Sequence, residues 1–170
     1  MPLLKDGAVV RDDWSPLADD AGPALEGNVI VTLEQWRDQR ERLRGHNGRL
    51  GLSLKSDQSP AEIAEDLGHF DLIALEFPRF GDGRAYSYAR LLRERYGFTG
   101  ELRAVGNVLR DQFLPMLRCG FDAFDLAASV SDEKAVEAWR EATSEIAFTY
   151  QPTGRQRASI GVLGRVAAKS

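Results

Sequence analysis

The sequence predicts an α/β domain with a mainly parallel sheet of about five strands. The strands come in repeated βα units, forming either a doubly wound sheet or a partial β/α barrel, with a small N-terminal hairpin. Three observations lead there. Short apolar runs alternate with helix-start signals between Asn28 and Thr143, and strands joined by helical crossovers run parallel. Two of those starts carry capping-box spacing, a hydroxyl followed three residues later by Gln or Glu. Five units are too few to close an eight-stranded barrel.

Taken in order, Leu3-Leu4-Lys5-Asp6-Gly7-Ala8-Val9-Val10 sets an Asp-Gly pair between apolar residues, the signature of a two-residue hairpin turn. From Arg11 to Gly27 the acidic, proline-bearing sequence has no period and predicts an irregular surface arm anchored by Trp14 and Leu17. Asn28 to Val31 reads as a strand. Thr32-Leu33-Glu34-Gln35 then opens a helix running to about Gly45. Leu50 to Leu54 is the second strand of the series, and Ser59-Pro60-Ala61-Glu62 starts a helix ending near Gly68. Asp71 to Phe77 is a buried strand stopped by Pro78, which has no N–H for the ladder. Gly81-Asp82-Gly83 lets the chain turn into a helix from Arg84 to Tyr96, closed by Gly97. Leu102 to Gly106 is the fourth strand. Pro115 then splits the following segment into a turn over Leu109 to Gln112 and a helix starting near Pro115. Phe121 to Leu126 is the fifth strand, and Ser131-Asp132-Glu133 opens a helix reaching about Thr143.

With 43% apolar and 28% charged residues among 170, the chain matches one soluble domain, read as residues 1–151. Residues 152–170 hold four cations and no acid, leaving −8 on the rest. This basic tail reads as a flexible or partner-docked end. The net charge of −4 offers no general reason to expect nucleic acid. A single cysteine, Cys119, excludes an internal disulfide and a thiolate metal cage, and it reads as a buried structural residue. No segment approaches the roughly 20 apolar residues that span a bilayer, so the expectation is a cytoplasmic protein that neither binds metal nor enters membranes.

Polar groups at the C-terminal ends of parallel strands converge on one rim. That rim is expected to hold Lys55, Glu76, Arg79, Asn107 and Asp125, with Arg84 and Arg110 on the helix starts above it. Arg84 is an oddly placed cation, because the start of a helix already carries positive charge. Two readings stand side by side. In one, Arg79, Asp82, Gly83, Arg84, Ser87, Asn107, Arg110, Asp111 and Gln112 bind an oxyanion, using guanidinium forks and free N–H groups. In the other, Asp82 and Asp111 satisfy the arginines and form only a structural clamp. No dinucleotide fingerprint, phosphate loop or catalytic motif is present; His46 and His69 share no motif, and the sequence leaves any cofactor unknown.

The run from Phe77 to Gln112, with Arg118-Cys119-Gly120-Phe121-Asp122-Ala123-Phe124, resembles a bacterial family of unknown function. Its members are described as oxidoreductases involved in sulfite reduction and are encoded beside sulfite reductase genes. The resemblance spans residues 1–151 and implies an accessory protein that binds sulfite reductase or another sulfur-assimilation protein. The alternative it leaves is a small oxidoreductase or anion-binding enzyme acting beside that reductase. One cysteine cannot ligate the iron–sulfur cluster of the reductase itself.

Overall fold

Among the described residues, eight strands form a single sheet in the order β2-β1-β8-β7-β6-β5-β4-β3. They are β1 (Leu3–Lys5), β2 (Ala8–Val10), β3 (Trp14–Pro16), β4 (Asn28–Thr32), β5 (Leu50–Leu54), β6 (Leu72–Phe77), β7 (Glu101–Gly106) and β8 (Ala123–Asp125). The computed structural model describes residues 3–5, 8–22, 25–79, 81–126, 134 and 136–141. The Asp6-Gly7 turn, the Ser131 to Glu133 helix start and the basic tail lie outside these residues. From β3 to β8 every pairing is parallel, and the β1–β2 hairpin joins β8 antiparallel.

The strand count exceeds the expected five because the hairpin joins the main sheet and because the arm after Arg11 is not irregular throughout. Trp14 to Pro16 pairs with Asn28 to Ile30, and Leu17 N–H continues the ladder to the Ile30 carbonyl at 2.8 Å. No hydrophobic period announces this strand, since its apolar anchor is one tryptophan, only 8% exposed.

From β3 to β8 strand order follows chain order, so among the described strands there is no switch point of the kind a doubly wound sheet requires. The two edge strands, β2 and β3, are separated only by residues 11–13. Four Cα steps reach at most about 15 Å, whereas eight flat strands would set the edges about 33 Å apart. The sheet therefore curls until its edges approach, and one face becomes convex and the other concave.

The convex face carries the helices. Val31, Leu52, Leu54, Ile73, Leu75, Leu102, Ala104 and Phe124 form one core with helical Leu33, Trp36, Leu92, Phe113 and Met116. The helix predicted to reach Gly45 breaks at Gln39 into α1 (Leu33–Asp38) and α2 (Arg40–Arg44), and α1 opens on the predicted box. Thr32 and Gln35 exchange backbone-to-side-chain bonds of 3.0 and 3.1 Å. The segment from Pro60 to His69 is a 3₁₀ helix kinked at Ile63 rather than a regular α-helix, though Ser59 and Glu62 do form its box. The helix α3 (Arg84–Arg90) widens into a π-helical turn over Leu91–Arg95. A 3₁₀ turn (Arg110–Gln112) precedes α4 (Phe113–Cys119). Pro115 is thus tolerated in the first turn of α4, where its missing N–H has no helical partner to lose.

The concave face has a smaller cluster of Trp14, Leu72 and Ala74, with Ile30 and Val105 against it. Gly51 makes room for it: a Cβ there would lie 3.1–3.2 Å from Ile30, Leu72 and the Trp14 ring.

Candidate functional site

The C-terminal strand ends build the predicted rim. At the end of β7, Gly106 takes φ +86, and a Cβ on it would stand 2.6 Å from the Phe77 carbonyl oxygen. Only glycine permits this approach, and it lets Asn107 N–H reach the same oxygen at 2.7 Å. The β6 and β7 exits, and the loops they carry, are thereby locked side by side.

On the β6 loop Asp82 organises the helix start. Its carboxylate accepts from the Arg84 amide at 3.2 Å, from Arg84 Nε at 3.1 Å and from Nη2 at 2.7 Å. Arg84 Nη2 also donates to Ser56 Oγ at 3.0 Å, and Tyr88 donates its hydroxyl to the Ser56 carbonyl at 3.0 Å. The side-chain bonds from Arg84, then the amide bond, hold the Asp82 carboxyl down at about 2. Pairing with Asp82 in turn raises the Arg84 guanidinium.

The hydrogen bonds of Arg84 thus go to its own loop and to the β5 exit, on the side of β6 away from β7. Arg79 and Gly83 are exposed on this loop, and Arg110 and Asp111 are exposed on the β7 side. Gln112 is partly buried, its Oε1 buried and without a partner among the described residues. Ser87 faces elsewhere, lining a groove of about 360 Å³ with Tyr86, Arg90, Pro115, Arg118 and Cys119. In that groove burial pushes the Cys119 thiol up while Arg90 opposes the shift, so the thiol is not poised as a nucleophile. Ser56 was missed by sequence reasoning; its only signal is its place just beyond β5.

A cleft of about 640 Å³ opens at the other end of the sheet, where β5, β6 and β7 begin, and includes Lys5, Arg49, Phe70, Tyr96, Phe98 and Glu101 in its lining. Reading the C-terminal rim alone could not find it. Among the described residues no helix is long and apolar enough to cross a membrane.

These features define an α/β protein with a curled, mostly parallel sheet and a polar rim clamped by Asp82 and Arg84. The chain belongs to a bacterial family described as "Bacterial protein of unknown function (DUF934)", whose model matches residues 51–160. No curated protein matches it.

Proposed function

We propose that the protein is an accessory component of assimilatory sulfur metabolism that serves sulfite reduction by binding the sulfite-reducing machinery through its C-terminal rim. The observation carrying this reading is the clamp. Because Asp82 and Ser56 hold Arg84, the rim is a stiff polar surface flanked by exposed Arg79, Arg110 and Asp111, and stiff groups lose little freedom on docking. The pathway rests on the resemblance of the stretch from Phe77 to Gln112 to proteins described as acting in sulfite reduction. An accessory role, rather than the reductase's own, is supported by the single cysteine.

The test is affinity capture of the tagged protein from cells growing on sulfate, together with growth of a deletion strain. Sulfite reductase subunits are expected to co-purify and to be lost in an Arg79→Glu, Arg110→Glu double variant. The deletion strain is expected to grow poorly on sulfate and sulfite and normally on cysteine. Unimpaired growth on all three sources with no captured partner would overturn the proposal. Saturable binding of sulfite by the purified chain, abolished by Arg84→Ala, would instead favour the anion-binding enzyme.

A further inference from the structure

The cleft where β5, β6 and β7 begin joins an apolar wall to uncommitted positive charge. Phe70 and Phe98 are buried and Tyr96 is half-buried along its lining. Arg49 is exposed at its edge, its guanidinium held over the Trp14 ring at 4.9 Å, and its side chain makes no ion pair among the described residues. Stacking on an indole fixes the plane of a guanidinium while leaving its N–H edge free for an oxyanion.

Beneath the cleft lies a buried ion network. Lys5 Nζ reaches Glu101 at 2.9 Å, Arg103 Nε reaches the other Glu101 oxygen at 3.0 Å, and Arg103 Nη1 reaches Asp12 at 2.9 Å. Arg93 joins from behind. It donates to the carbonyls of Phe98 and Gly100 at 2.8 and 2.7 Å, which stiffens the turn lining the cleft, and lies 3.4 Å from Asp122. Three cations therefore face Asp12, Glu101 and Asp122, and burial pushes the Asp122 carboxyl up to about 7, so near neutrality it is only part-charged. Arg103 Nη2 is buried with no acceptor among the described residues. Lys5, still 22% exposed, brings this network to the surface of the cleft, where Lys5 and Arg49 stand beside Glu101 and the exposed Asp71 in the lining.

We propose that this cleft binds a small organic anion, its carboxylate or phosphate taken by Arg49 and Lys5 and its flat apolar body laid against Phe70, Tyr96 and Phe98. The volume suits a ligand of that size. The site stands apart from the rim and does not depend on the sulfite-reduction reading.

The experiment is titration of the purified full chain with phenyl phosphate, benzoate and inorganic phosphate, followed by calorimetry and amide chemical shifts. Phenyl phosphate or benzoate is expected to bind in the range of about 1 mM or tighter, whichever binds reporting the preferred head group, and inorganic phosphate more weakly than the better of the two. Arg49→Ala, at an exposed position, is expected to weaken binding about tenfold. Thr99→Trp, which fills the cleft from an exposed position, is expected to abolish it, and Arg84→Ala on the distant rim to leave it unchanged. Absence of binding by both aromatic probes overturns the proposal. So does inorganic phosphate binding as tightly as they do, or loss of binding in Arg84→Ala but not in Arg49→Ala.

Discussion

Asp12 Oδ2 lies 2.9 Å from Arg103 Nη1, joining residues 91 positions apart across the concave face. Asp12 sits in the short link between the two sheet edges, and its other oxygen accepts from Trp14 N–H at 3.1 Å. One carboxylate thus fixes both how far the sheet curls and where Trp14 enters it.

Asp12→Ala is expected to destabilise the fold by about 2–4 kcal/mol, since it leaves buried Arg103, 2% exposed, with Glu101 as its only acceptor among the described residues. Urea unfolding measures this directly. A loss below about 0.5 kcal/mol, the range of ordinary surface changes, would show that the link does not hold the curl.

Gly51→Val tests the concave cluster. The added methyl groups collide with Ile30, Leu72 and Trp14, and overpacking costs about 1–3 kcal/mol. The Trp14 ring is one of the three groups that must give way, so tryptophan emission should shift to longer wavelength in the folded variant. An unshifted spectrum with unchanged stability would contradict the packing described.

The buried carboxyl of Asp122 makes stability depend on pH. It accepts from Leu102 N–H at 2.7 Å, but desolvation dominates and lifts it to about 7, with Arg93 and Lys5 opposing and Glu101 reinforcing the shift. An unfolded aspartate releases its proton near pH 4. Between about 4 and 7 the folded chain therefore holds a proton that the unfolded chain has lost, and stability from this group falls as pH rises, levelling off above 7. Asp122→Asn removes the titration. The stability of the wild type relative to this variant should fall between pH 5 and pH 8 by an amount on the order of 2 kcal/mol. Equal differences at the two pH values in urea melts would rule it out.

Much of the local architecture is legible in the chain itself. The boxes at Thr32 and Ser59, the stop at Pro78 and the apolar strands β4 to β7 all depend on groups a few residues apart, and such interactions survive whatever the rest of the chain does. The Asp82–Arg84 pair, one half of the expected clamp, belongs to the same class. Other features were decided only when distant segments met. The sequence could not show that Ser56 would complete the clamp, that Trp14 would add an edge strand, or that Asp12 would bind Arg103. Nor could it show that Lys5 and Arg49 would line one cleft. Each depends on strand order and register over tens of residues, and those are set by the summed burial of two sheet faces rather than by any local pattern.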